Sequence, residues 1–118
     1  MDEILKRLEL LHPKIIDLKL DRVKRLLRKL GNPEKSIPPV IHVAGTNGKG
    51  STIAMIKAGL QKSGFSTHTY TSPHLVRFNE RIEIGNKRIS EDALKEVLNE
   101  CEKVNNSQPI TFFEITTC

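Results

Sequence analysis

The sequence predicts an α/β fold in which a parallel sheet carries a glycine-rich loop at the end of its first strand. A β-branched run at residues 39–44 leads directly into that loop. A helix-compatible run at residues 51–63 then ends at Gly64, and residues 65–70 can form a second strand. Strand, loop, helix and strand make one βαβ unit, whose crossover should be right-handed.

Two helices are predicted before this unit. Residues 2–11 form a short helix, and residues 21–30 form a second one that Gly31 closes. The second helix is strongly basic, and its region contains Lys14, Lys19, Arg22, Lys24, Arg25, Arg28 and Lys29. These charges could bind a polyanion. The favoured alternative is that they lie on the solvated side of an amphipathic helix, because the helix also has an apolar stripe at helical spacing: Val23, Leu26, Leu27 and Leu30.

The second half of the sequence predicts a hairpin and a further helix. Two short apolar runs flank Gly85-Asn86, and Ser90 precedes a long helical pattern. Residues 111–114 are ambiguous, because their composition favours a strand while Thr-x-x-Glu is also a capping box that opens a helix. Two or three parallel strands cannot cover both faces of a sheet, so we expect a truncated fold.

Composition indicates one ordinary globular domain or part of one. The chain has 118 residues, 37% of them hydrophobic and 28% charged, with a net charge of +5. Cys101 and Cys118 lack metal-ligand spacing, and no secretory signal precedes them, so a reducing cytoplasm is expected. Cys101 continues an apolar stripe and is predicted to lie in the core. No apolar run reaches membrane-spanning length.

The glycine-rich loop has the residues of a phosphate-binding site. Glycines allow successive backbone amides to face a ligand, and the following helix adds the positive end of its dipole. Lys49 would supply a mobile positive charge for nucleotide phosphates, and Ser51 or Thr52 a hydroxyl for magnesium. The spacing departs from G-x-x-x-x-G-K-[ST], because Gly50 separates Lys49 from Ser51. A glycine-rich turn with a solvated lysine is therefore the alternative.

Four segments together resemble a known enzyme family. Residues 42–51, His-Val-Ala-Gly-Thr-Asn-Gly-Lys-Gly-Ser, resemble the nucleotide loop of Mur-type amide ligases. Residues 11–23, residues 70–82 with Tyr-Thr-Ser-Pro-His-Leu, and residues 109–114 with Pro-Ile-Thr-Phe-Phe-Glu resemble folylpolyglutamate synthase/dihydrofolate synthase. The resemblance implies a P-loop NTPase-like parallel sheet of the Mur ligase central-domain type. It also implies an enzyme in which ATP phosphorylates a folate-side carboxylate that the amine of glutamate then attacks.

The resemblance also implies roles for individual residues, with ATP and Mg²⁺ as cofactors. Lys49 would be catalytic, and the ATP phosphates would be held by Gly45, Thr46, Asn47, Gly48, Lys49, Gly50 and Ser51. Ser72 would ligate magnesium, although a serine before proline is also a common turn residue. The folate or pteroate would contact Asp17, Leu18, Lys19, Leu20, Thr111, Phe112, Phe113 and Glu114. Lys19 replaces a glycine that is usual in the family. No role is assigned to His74, for which a solvated loop position is expected.

The matched portion is only the beginning of the family's chain. Residues 1–118 are therefore expected to be the N-terminal portion of the ATP-binding domain, with the rest of that domain and the C-terminal glutamate-ligase domain absent. Such a fragment is expected to be inactive alone. The expected partners are folate or pteroate and L-glutamate, with no nucleic acid or membrane, and the full-length parent is expected to be a monomer. Two alternatives stay open: another Mur-type ligase, and a non-catalytic nucleotide-binding module.

Overall fold

A computed structural model describes residues 1–13 and 19–118 of the chain. These residues divide into two units, one formed by Met1–Pro38 with Glu91–Cys118 and the other by Pro39–Ser90. In chain order the helices and strands are α1 (Asp2–Glu9), α2 (Asp21–Lys29), α3 (Lys49–Lys62), β1 (Thr69–Tyr70), β2 (Ile82–Ile84), β3 (Lys87–Arg88), α4 (Glu91–Asn105) and α5 (Phe112–Thr117). Single 3₁₀ turns occupy Pro33–Lys35 and Phe78–Arg81.

The first unit is a helical cluster in which α1 and α2 both pack against α4 and α5. Each helix contributes one apolar stripe, as the 3.6-residue periodicity requires. The buried side chains that form the core are Ile4, Leu8, Leu26, Leu94, Leu98, Cys101, Ile110 and Ile115. The core position predicted for Cys101 is confirmed, and burial, followed by the charge of Glu100, raises the pKa of its thiol.

Local signals predicted the helix ends of this unit well. Gly31 takes a φ of +86° just after α2, a conformation that disfavours a side chain. The ambiguity at residues 111–114 is settled in favour of the helix. The hydroxyl of Thr111 accepts the Glu114 amide at 3.2 Å, and the Glu114 carboxylate accepts the Thr111 amide at 2.9 Å. This reciprocal capping box opens α5.

The second unit combines α3 with a three-stranded antiparallel sheet. Strand β2 lies between β1 and β3, with Thr69 opposite Glu83 and Glu83 opposite Arg88. The predicted hairpin is confirmed, since Gly85 and Asn86 link β2 to β3 with φ values of +57° and +71°. The predicted helix after the loop is also present as α3, which begins at Lys49 rather than at Ser51.

The predicted parallel sheet is not formed by the described residues. Residues 39–44 are not in a strand, and Val40 and Ile41 are 68% and 62% exposed. Of the predicted strand at residues 65–70 only β1 forms, and it pairs antiparallel with β2. A strand of a parallel sheet is held by neighbouring strands and by helices on both faces. The described residues supply no such neighbour to residues 39–44. This segment therefore does not form a strand, although its composition is β-branched.

Candidate functional site

The glycine-rich loop joins residues 39–44 to the first turn of α3. Gly48 takes a φ of +74° and is the N-cap of α3, where no side chain caps the helix. Helix N-termini leave backbone amides without intrahelical partners and carry partial positive charge. A Cβ at Gly48 would meet nothing within 4 Å, so the glycine is required by its backbone conformation rather than by close packing. These free amides suit an anionic ligand.

Lys49 is the first residue of α3, and its side chain folds back over the loop. Its Nζ donates a hydrogen bond to the carbonyl oxygen of Gly45. The ammonium group therefore lies against the same short loop whose glycines and helix N-terminus suit an anion. A phosphate oxygen would compete with this carbonyl for the ammonium and would offer it a full negative charge.

Two hydroxyls follow the lysine, and the structure distinguishes between them. The Thr52 hydroxyl donates to the carbonyl oxygen of Gly48 at 2.8 Å, which fixes its orientation against the helix. Ser51 is exposed at the first turn of α3. Hydroxyl oxygen is a suitable but weak ligand for magnesium, which usually completes its shell with phosphates and water. The donor set of the loop therefore fits a metal-bound polyphosphate.

Ser72 lies in an exposed loop that follows β1. The loop is tied to the sheet at its start, because the Thr71 amide donates to the Arg81 carbonyl at 2.8 Å. Its end is tied by Glu80, whose carboxylate accepts the backbone amides of Leu75, Val76 and Arg77. Ser72 belongs to the same unit as the glycine-rich loop.

His74 is part of a packed cluster rather than the solvated histidine expected from the sequence. Its Nδ1 accepts a hydrogen bond from Arg81 Nε at 2.9 Å. Its ring meets buried Phe78 edge to face, with ring centroids 5.5 Å apart. Arg81 also lies over the Phe78 ring, 4.7 Å from its centroid. The cluster gives His74 a structural role in holding the loop.

The residues predicted to contact folate at the chain's end form the start of α5. Thr111 and Glu114 are buried, whereas Phe113 is 44% exposed. Both carboxylate oxygens of Glu114 face the guanidinium of Arg22, at 2.8 and 2.7 Å. Burial works to raise the pKa of Glu114, but the Arg22 and Thr111 hydrogen bonds outweigh it and hold that pKa below its usual value.

The other predicted substrate residues come just before α2 in the sequence. Asp17 and Leu18 fall outside the described residues. Lys19 and Leu20 are exposed, and Leu20 is the N-cap of α2. Lys19, Leu20 and the start of α5 belong to the helical unit, whereas the glycine-rich loop and Ser72 belong to the other unit.

Sequence reasoning missed the part that two arginines of α2 play inside the helical unit. Arg22 pairs with buried Glu114, and Arg25 donates to the Asn105 side chain at 3.2 Å and to the Pro109 carbonyl at 3.1 Å. The sequence pattern predicts both arginines on the solvated side of the helix, whereas in the structure each is only partly exposed. Arg22 lies four residues before the buried Leu26, so it borders the apolar stripe, and that spacing is the signal that could have revealed it.

Residues 1–13 and 19–118 contain no group of three His, Cys, Asp or Glu side chains placed to hold a metal ion. None of the described helices has the length and apolar character that crossing a membrane would require.

The Cys118 thiol is half-buried, and burial, with the neighbouring Cys101, Glu114 and Glu34, raises its pKa to about 12.

Comparisons with known proteins point in one direction, although no family model matches the chain. The sequence is 41% identical over 106 residues to the dihydrofolate synthase/folylpolyglutamate synthase of Bacillus subtilis, covering 84% of this chain and 24% of that protein. The fold matches Escherichia coli FolC in complex with DHPP and ADP, with a TM-score of 0.88 and 39% identity, covering 98% of this chain and 28% of that one.

A second solved structure adds a metal and another substrate. It is a bifunctional folylpolyglutamate synthase/dihydrofolate synthase with Mn, AMPPNP and L-glutamate bound, with a TM-score of 0.83 and 36% identity. The match covers 96% of this chain and 27% of that structure. The chain thus spans about a quarter of the length of the relatives it matches.

Proposed function

We propose a function from the premise that this chain belongs to the folylpolyglutamate synthase/dihydrofolate synthase family. The chain supplies the ATP-phosphate loop of a ligase that joins L-glutamate to dihydropteroate or tetrahydrofolate. Residues 1–118 are then part of the ATP-binding domain. Residues 39–44 become a strand of its parallel sheet when the neighbouring strands of that domain are present. The protein is cytoplasmic and monomeric in this proposal.

The single observation that carries the proposal is the geometry of the glycine-rich loop. Gly48 leaves the first amides of α3 without a side-chain cap, and the Lys49 ammonium lies beside them on the Gly45 carbonyl. Phosphoryl transfer depends mainly on positioning and on neutralising charge, and these groups supply both. When bound, ATP supplies the phosphoryl group that activates a folate-side carboxylate for attack by the amine of glutamate.

In this proposal each residue of the loop has a defined task. Lys49 exchanges the Gly45 carbonyl for phosphate oxygens, and the amides from Gly45 to Ser51 donate to the same phosphates. The hydroxyls of Ser51 and Ser72 provide oxygen ligands for Mg²⁺. The ADP, AMPPNP and Mn bound by the two solved relatives support this assignment.

The substrate side is proposed to involve the start of α5 and the segment before α2. Phe113 is exposed and offers a flat face to a pterin ring. Glu114 acts indirectly, because Arg22 and the Thr111 amide already occupy its oxygens and fix the start of α5. Asp17, Leu18, Lys19, Leu20, Thr111 and Phe112 complete the proposed folate contacts. The DHPP bound by the Escherichia coli relative supports a folate-type ligand.

A graft into a complete relative tests the proposal. The matching 106-residue segment of the Bacillus subtilis enzyme is replaced with the residues of this chain, and glutamate addition to dihydropteroate and to a muramyl substrate is assayed. We expect ATP- and Mg²⁺-dependent addition to dihydropteroate alone. Lys49→Ala in the graft should reduce kcat/KM about 100-fold or more, because it removes the positive charge that neutralises the transferred phosphoryl group.

The matched control is Lys62→Ala, at the exposed last turn of the same helix, which should leave kcat/KM unchanged. Two outcomes contradict the proposal. One is a folded graft that adds glutamate to the muramyl substrate instead. The other is a folded graft whose activity survives Lys49→Ala.

A further inference from the structure

Glu80 makes an unusual set of contacts to the loop that carries Ser72. One carboxylate oxygen accepts the amides of Val76 at 3.0 Å and Arg77 at 2.7 Å, and the other accepts the amide of Leu75 at 3.0 Å. A carboxylate has enough lone pairs to accept all three bonds, whereas a protonated acid would lose one acceptor site to its own proton. Three consecutive amides are therefore held by one ionised side chain.

The apolar side chains of Leu75 and Val76 contribute little to the order of this loop. Leu75 and Val76 are 93% and 80% exposed, so burial of apolar surface does not hold their backbone in place. The start of the loop is fixed by the Thr71–Arg81 backbone bond and by the contacts of His74 with Arg81 and Phe78. The far end depends on Glu80. Ser72 lies between Thr71 and His74. The residues that hold these two, Phe78 and Arg81, are in the same 3₁₀ turn as Glu80, which also holds the three residues after His74.

We propose that Glu80 is a positioning residue that holds residues 75–77 in place and thereby sets the position of the Ser72 hydroxyl for a nucleotide-bound divalent cation. The inference rests on the proposed function, which assigns Ser72 to the metal. Glu80 does not itself touch the metal, and it acts through the backbone of the loop. Residues that orient a metal ligand in this way commonly change metal affinity by 10- to 100-fold when they are replaced.

The test compares Glu80→Gln, Ser72→Ala and the original chain, with Mn²⁺ as the probe in the presence of saturating AMPPNP. Glutamine keeps the size of the side chain but has one acceptor oxygen and no charge, so it cannot hold three amides. We expect Glu80→Gln to weaken Mn²⁺ binding about 10-fold, as measured by electron paramagnetic resonance. Amide hydrogen exchange at Leu75, Val76 and Arg77 should accelerate at least 10-fold, while exchange within α3 stays unchanged.

The matched control is Glu96→Gln, the same substitution at an exposed position of α4. It should change neither Mn²⁺ binding nor exchange in the loop. If Ser72→Ala weakens Mn²⁺ binding and Glu80→Gln does not, Glu80 is not a positioning residue. If exchange in α3 accelerates along with the loop, Glu80 has only a general structural role. If Ser72→Ala leaves Mn²⁺ binding unchanged, or the original chain binds no Mn²⁺, the metal assignment fails and the inference fails with it.

Discussion

Glu114→Ala is expected to lower the free energy of unfolding of the helical unit by about 3 to 5 kcal/mol. The Glu114 side chain is 4% exposed and the Arg22 side chain 16%, so the substitution removes a two-bond ion pair that is largely shielded from water. It also removes the carboxylate that accepts the Thr111 amide in the capping box at the start of α5. Denaturant unfolding followed by circular dichroism gives the measurement.

The control is the exposed pair between α1 and α4. Arg7 and Glu102 lie 3.0 Å apart, with side chains 49% and 29% exposed, so Glu102→Ala should lower the free energy of unfolding far less than Glu114→Ala does. A double-mutant cycle with Arg22→Ala isolates the buried pair from packing effects. A loss at Glu114 no larger than that at Glu102 would contradict the structural role given to this pair.

The same pair predicts how stability depends on pH. The pKa of Glu114 is held below its usual value of 4.5 in the folded chain. The ionised Glu114 therefore contributes fully to the free energy of unfolding above pH 4.5. This contribution is lost as the pH falls through the pKa that Glu114 has in the folded chain. Glu114→Gln should accordingly show a flatter decline of unfolding free energy below pH 4.5 than the original chain.

Lys49→Ala is expected to weaken MgATP binding about 100-fold. Hydrogen bonds to charged groups contribute about 1.5 to 3 kcal/mol each, and the lysine also supplies the mobile positive charge of the loop. Its side chain is at the first turn of α3 and donates a hydrogen bond to the Gly45 carbonyl oxygen. Its removal should therefore leave the free energy of unfolding nearly unchanged.

Isothermal titration calorimetry with MgATP provides the affinity, and Lys62→Ala is again the control. That variant removes the same charge from the same helix at its other end. If both variants lose affinity equally, the effect is a general change in charge. If neither loses affinity, Lys49 does not bind the phosphates.

The features that the sequence predicted correctly are those specified locally. Gly31 ends α2, Gly85 and Asn86 turn the hairpin, and Thr111 with Glu114 caps α5, each through bonds or conformations within a few residues. The helix that follows the glycine-rich loop, α3, is likewise predicted from residues that are adjacent in the sequence. Such features need no knowledge of the rest of the chain.

The features that were missed depend on distant residues. The strand predicted at residues 39–44 requires neighbours that the described residues do not supply, and β1 takes an antiparallel partner instead. The spacing of Arg22 from Leu26 marks it as bordering the apolar stripe, but Glu114 is 92 residues away, so that spacing could not identify its partner. The packing of His74 likewise required the fold of Phe78 and Arg81 around it. The loop residues could be named from the sequence, but the support beneath Ser72 could not.

The most direct test of the central claim is a titration of the ¹⁵N-labelled chain with MgATP, followed by two-dimensional NMR. If the glycine-rich loop binds the phosphates, saturable shifts should be concentrated at the amides from Gly45 to Thr52. They should persist at 150 mM salt. Shifts concentrated instead on the exposed basic residues of α2, Lys24, Arg28 and Lys29, and abolished by salt, would show a non-specific polyanion surface and contradict the account.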